Sequence, residues 1–174
     1  MNYVSLPLSR KNIRELAKAF REVVGVSELE KFPILEFIEF FLGKVGFSFE
    51  VLEDFELKGK YAEALPNEKK LLIRQSTYDG AVKGNPRDLF TLAHEVGHLF
   101  LHNSQTITLA RRDRNIKIYE DPEWQSNTFA GELFAPADAI IGMSKEEVMN
   151  RYGCSGQVAD IQLKQAQKIA TYGL

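Results

Sequence analysis

From residue 9 onward the apolar positions keep a helical period. Ile13, Leu16, Ala17, Phe20 and Val24 form one stripe behind Ser9, a residue type that caps helix starts. They predict an amphipathic helix running to about Val24. Pro33, at a position suited to a first turn, opens a second helix from Ile34 to about Val45, with Ile34, Leu35, Phe37, Ile38, Phe41 and Leu42 apolar. At Phe47 the period drops to two. Phe47, Phe49 and Val51 alternate with Ser48 and Glu50, which predicts a strand. Lys60 to Leu65 reads as a second strand and Lys69 to Arg74 as a third, with Pro66-Asn67-Glu68 as the turn between them. The expectation is a small three-stranded antiparallel sheet over residues 47 to 74.

The pattern then returns to helical spacing. Pro86 opens a helix to about His102 in which Leu89, Phe90, Leu92, Ala93, Val96, Leu99, Phe100 and Leu101 cover most of the surface, so this helix should be central. Residues 103 to 120 are irregular and rich in Arg and Thr, with a short strand expected near Ile116 to Tyr119. Pro122 starts another helix that must end before Pro136. Ser144 with Glu147 makes a capping box for a short helix, and Ser155 to Ala170 reads as the last. The predicted class is α+β and mostly helical. A chain of 174 residues suits one domain, with a C-terminal helical pair, about 144 to 170, packed on it.

Composition narrows the classes of function. Apolar residues at 44% and charged residues at 26% are those of a globular protein. A net charge of −2 supplies no field toward nucleic acid or membrane surfaces. Arg111, Arg112, Arg114 and Lys117 are interrupted by Asp113 with few aromatics nearby, and read as a solvated loop. Cys154 is the only cysteine. It allows no intrachain disulfide, fits a reducing compartment and reads as an inert buried thiol. No basic segment leads into an apolar run at the N-terminus, and the longest greasy stretch, Ile34 to Leu42, is too short to span a bilayer. The expectation is a cytoplasmic protein.

Candidate chemistry is concentrated in His94-Glu95-Val96-Gly97-His98. A match to this pattern arises by chance in roughly 0.5% of chains of this composition, rare enough to follow. The two histidines lie one turn apart on one helix face, so both rings can converge on an ion at the ~2.0–2.1 Å that zinc prefers. Glu95 sits about 100° around the helix, within reach of a water in the remaining place, and suits a general base. Gly97 fits a face pressed against another segment, because a glycine inside a helix costs about 1 kcal/mol without such a reason.

A catalytic zinc site needs a third protein ligand. His102 is eight residues from His94, about 12 Å along the axis and too far to share one ion. It is expected either to orient the site from behind or to pack at the helix end. The third ligand should come from the helix after Pro122. Glu123 is favoured, because a first-turn side chain can swing toward a crossing helix and Asn127 lies one turn later on the same face. Glu132 is the alternative, nine residues on and half a turn out of phase. Tyr78 and Tyr119 are candidate oxyanion stabilisers, weighed against ordinary packed or exposed rings.

These residues resemble the ImmA/IrrE family of HExxH zinc metallopeptidases. The stretch Leu89 to His102 looks like that family's rFTLAHElGHlllH signature almost throughout, and Glu123 to Pro136 is similar to its ExxANxFAaeLLMP segment. Ser144 to Leu163, with Tyr152-Gly153-Cys154-Ser155, resembles the helix pair that closes many members. The resemblance implies a zincin-like fold, zinc held by His94, His98 and Glu123, and Glu95 as the catalytic residue. It also implies a protein substrate, a helix-turn-helix transcriptional repressor encoded nearby that controls a mobile element or stress response. Ser126 and Gly131 stand where Ala is usual, and Phe134-Ala135 where Leu-Met is usual.

The chain is therefore expected to be a zinc-dependent endopeptidase acting on a DNA-binding partner protein, with no direct nucleic-acid contact and no membrane. The alternative is a protein-binding module of a toxin–antitoxin or immunity pair with little or no proteolysis. The intact Glu95 argues against it, since a pure binder needs no base.

Overall fold

The computed structural model of the chain describes residues 3–109 and 115–174. The loop residues Arg111, Arg112 and Arg114 lie outside the described residues, as does part of the 103 to 120 segment. The chain opens on a short strand, β1 (Tyr3–Ser5), followed by α1 (Arg10–Val24). The Ser9 side chain accepts from the Asn12 amide to start α1, and Gly25, at φ 75°, ends it in the left-handed region. The second expected helix is helical throughout but is not one α-helix. Its first turn is α2 (Ile34–Glu36), Phe37–Phe41 is a π-helix and Leu42–Val45 a 3-10 helix. The wider turn accompanies the stacking of the Phe37 and Phe41 rings, whose centroids are 6.3 Å apart.

The sheet comprises β2 (Ser48–Leu52), β3 (Ala62–Leu65) and β4 (Lys70–Arg74), and it corrects an expectation. It is mixed rather than antiparallel, with β4 in the middle. β3 and β4 form the expected hairpin, but β2 pairs parallel to β4, Phe49 opposite Leu71 and Val51 opposite Ile73. Alternation tells which face a side chain takes. It carries no record of strand direction, and the turn signal at Pro66 orients only β3 against β4.

Next come α3 (Gln75–Val82), α4 (Pro86–Leu101) and β5 (Ile107–Leu109), which pairs antiparallel with β1. The strand expected near Ile116 to Tyr119 is instead a 3-10 turn, Ile118–Glu120. α5 (Pro122–Phe134), α6 (Lys145–Tyr152) and α7 (Gly156–Tyr172) complete the fold. Leu92, Ala93 and Val96 of α4 are fully buried together with Phe129, Ala130 and Leu133 of α5 and Leu71 and Ile73 of β4. The central helix is therefore α4, as its apolar coverage predicts.

A second apolar cluster joins Ala135 and Ile140 to Val148, Tyr152, Cys154, Val158, Ala159 and Ala166. Tyr152 Oη ties it to the rest by donating to Glu28 O (2.9 Å), and Gln162 Nε2 donates to Ala135 O (2.9 Å) within it. The Arg21 side chain, 1% exposed, donates to Leu133 O (2.9 Å), Phe134 O (3.0 Å), Ser27 O (2.6 Å) and Glu30 O (2.9 Å). One guanidinium thus satisfies the carbonyls at the end of α5, which the helix cannot satisfy itself. Among the described residues, no helix is long and apolar enough to cross a membrane.

Candidate metal centre

The centre is built where α4 and α5 touch. The α4 start is secured by Asn85, whose side chain accepts from the Arg87 and Asp88 amides, with Pro86 in the first turn. Gly97 lets the helices approach. A Cβ there would lie 3.1 Å from the Phe129 ring, 3.2 Å from Ser126 Oγ and 3.3 Å from Ser126 Cα. α5 starts at Asp121, whose carboxylate accepts from the Glu123 amide at 2.9 Å. The first turn of α5 consequently stands beside the histidine face of α4.

Three donor groups meet there. His94 Nε2 and His98 Nε2 are 3.0 Å apart. The Glu123 carboxylate reaches both, Oε2 3.3 Å from His94 Nε2 and Oε1 3.1 Å from His98 Nε2. Among the described residues, His94, His98 and Glu123 form a group of donors able to hold a metal ion. A tetrahedron with the ~2.0–2.1 Å arms that zinc prefers has edges of about 3.3 Å, so the spacing suits such an ion. The alternative ligand, Glu132, points elsewhere. It is 1% exposed and accepts from Arg14 Nε at 3.3 Å and from the Ala137 amide at 3.1 Å.

Glu95 is oriented by the neighbouring strand. Its Oε2 accepts from the Ala64 amide of β3 at 2.8 Å. Burial pushes its carboxyl up to about 7, the negative charges of Glu123 and Glu63 add to that, and the Ala64 amide and Lys60 oppose it. Burial, reinforced by the His94 and His102 rings, lowers the His98 pKa to about 3, so this ring is neutral over the physiological range.

Behind these groups lies a shell that the sequence only partly announced. His94 Nδ1 is 2.9 Å from Asn127 Oδ1. His102 is buried at 4% exposure, with Nδ1 2.8 Å from His98 Nδ1 and Nε2 2.9 Å from Gln125 Oε1. It therefore supports the site and does not join the donor group. Gln125 carried no signal in the sequence, because an amide on a mixed helix is common and its partners, Leu6 and Tyr119, are backbone carbonyls.

The group opens on a cleft of about 1500 Å³, lined also by Lys60, Glu63, Asn67, Tyr3, Ile107 and Ile118. The Glu123 side chain is 67% exposed, so the donors are reached from solvent. Tyr78 donates to Glu39, and neither it nor Tyr119 lines this cleft, so the ordinary reading of both rings stands.

Residues 81–164 match the Peptidase_M78 family, the IrrE N-terminal-like domain. No curated protein matches the chain. The matched stretch contains His94, Glu95, His98 and Glu123, and over it the chain is similar to the ImmA/IrrE family of metallopeptidase-like domains.

Proposed function

We propose that the chain is a zinc-dependent endopeptidase of the HExxH type with a zincin-like active site. The observation that carries this reading is the convergence of His94 Nε2, His98 Nε2 and the Glu123 carboxylate within 3.0–3.3 Å, on an open cleft also lined by the half-buried carboxyl of Glu95, whose pKa is about 7. The donor chemistry fits zinc: two imidazoles and a carboxylate, leaving one place in four. Zinc bound there supplies Lewis acidity to a scissile carbonyl and acidifies water.

The chain's own residues do the proton work. Oε2 of Glu95 is engaged by the Ala64 amide, so Oε1 is the free atom. It takes a proton from water as the oxygen bonds to the carbonyl carbon. It then delivers that proton to the leaving nitrogen as the C–N bond breaks, and the net change is addition of one water. A pKa near the working pH suits a group that must both take and return a proton. The cleft, larger than the ~300–1,000 Å³ usual for small ligands, suits an extended polypeptide. In keeping with the family resemblance, the substrate is a DNA-binding repressor of helix-turn-helix type, cut in the cytoplasm.

The test is metal analysis with cleavage. Purified protein should hold near-stoichiometric zinc, and His94→Ala should lose it. Glu95→Gln should keep zinc and lose cleavage of a repressor encoded beside the gene. Metal-free wild type, or Glu95→Gln cutting as fast as wild type, overturns the reading. A repressor that co-purifies and is never cut would favour a binding module, for which a carboxyl titrating near pH 7 has no use.

A further inference from the structure

Gln125 spends both amide hydrogens on backbone carbonyls. Its Nε2 lies 2.8 Å from Leu6 O and 2.8 Å from Tyr119 O, and two acceptors there require the NH₂ end of the side chain. Oε1 must then be the atom facing His102 Nε2 at 2.9 Å, and it accepts. In a neutral ring this puts the His102 proton on Nε2 and leaves Nδ1 a bare lone pair. That lone pair is 2.8 Å from His98 Nδ1, so His98 donates. Its proton sits on Nδ1, and its Nε2 is bare toward His94 and Glu123. The direction of every bond follows from the two carbonyls at the far end.

We propose that Gln125 and His102 are positioning residues that set the tautomer of His98, making its Nε2 a metal donor. The opposite tautomer would turn an N–H toward the other two donors and block an ion. The usual partner behind a metal-binding histidine is a carboxylate, carbonyl or water. Here it is a second imidazole, whose own polarity has to be imposed by Gln125. The chain of bonds also ends on two segments beside the cleft, whose Tyr3 and Ile118 line it. Leu6 follows β1, and Tyr119 lies in the 3-10 turn Ile118–Glu120, so the seating of these two segments feeds into the readiness of His98 to bind metal.

The affinity part rests on the metal reading above, whereas the tautomers are a property of the metal-free chain. Long-range ¹H–¹⁵N spectra of metal-free protein resolve the question simply, because the chain has only three histidines. The expected result is His98 protonated on Nδ1 and His102 on Nε2; His98 protonated on Nε2 overturns the proposal. Gln125→Met removes the acceptor. It should give His98 mixed tautomers and weaken zinc binding, read by chelator competition, by about 10- to 100-fold.

Gln125→Glu keeps an acceptor facing His102 and loses the paired amide donors. It should recover most of the zinc affinity while remaining less stable than wild type. A purely structural Gln125 would instead lower stability in both variants and leave the tautomers and zinc affinity unchanged, which overturns the proposal. If Gln125→Met does not fold, the wild-type spectrum decides alone. Wild type that binds no zinc yet shows the expected tautomers would sink the metal reading and leave the relay standing.

Discussion

Burial acts on Glu95 and His98 in opposite senses, and their pH signatures oppose each other. Glu95 holds its proton up to about 7 in the folded chain against an ordinary 4.5. Its contribution to stability is full below about 4.5 and is lost as pH rises through about 7. His98, at about 3 against an ordinary 6.5, contributes stability that is present above 6.5 and lost as pH falls toward 3. Between those limits the two slopes offset. With chelator present, the stability of wild type relative to Glu95→Gln should therefore fall between pH 4.5 and 7, by on the order of 2–3 kcal/mol. A difference in urea midpoints that stays flat across that range would contradict the assignment. Ser126 offers a second residue-scale test. It is fully buried, and its hydroxyl has no hydrogen-bond partner among the described residues. Ser126→Ala should raise stability by about 1 kcal/mol, measured by denaturant midpoint; a loss of stability would mean that the hydroxyl has a partner. At this scale half a turn of helical phase says that Glu123 and Glu132 face opposite sides, but not which one faces the histidines; the first-turn position and above all the family resemblance are what favoured Glu123. The role of Gln125 was not legible, because nothing about a neutral amide reveals which carbonyls it will meet.

Contact between α4 and α5 decides whether donors on separate helices share one ion. Gly97→Ala pits two effects against each other. Alanine gains about 1 kcal/mol of helix propensity. Its methyl would meet the Ser126 Cα and a fully buried Phe129 ring within 3.3 Å, and overpacking of this kind costs about 1–3 kcal/mol. Packing should win, because a backbone atom and a locked ring cannot step aside cheaply. The variant is expected to lose about 1 kcal/mol of stability and at least tenfold in zinc affinity, measured by denaturation and chelator competition. Unchanged affinity would show that the helices separate without moving the donors. The long helices were readable because each carries a cap and a stripe. The elements that were missed are short or unstriped: α3 buries only Thr77 and Ala81, and β1 and β5 have three residues each. Parallel pairing of β2 with β4 leaves no mark in a single strand's alternation.

Across the whole molecule, Arg21 links the two apolar clusters. It binds the end of α5 and the Ser27 and Glu30 carbonyls, in the same loop whose Glu28 carbonyl accepts from Tyr152. Arg21→Met would leave four carbonyls without their donor. It should cost about 3–5 kcal/mol and lower the melting temperature in a single transition if the chain unfolds as one unit. Two separated transitions would show that the C-terminal pair melts by itself. Hydrophobic patterning indicated that residues 144 to 170 pack on the rest, but a charged side chain lying at the centre of that connection could not be read from it. Cys154 sits in this second cluster, 4% exposed, with its thiol pushed up by burial. As the only cysteine, it is a built-in chemical clock: an alkylating reagent can reach it only when the tail opens, so one labelling rate counts those openings with no added tag.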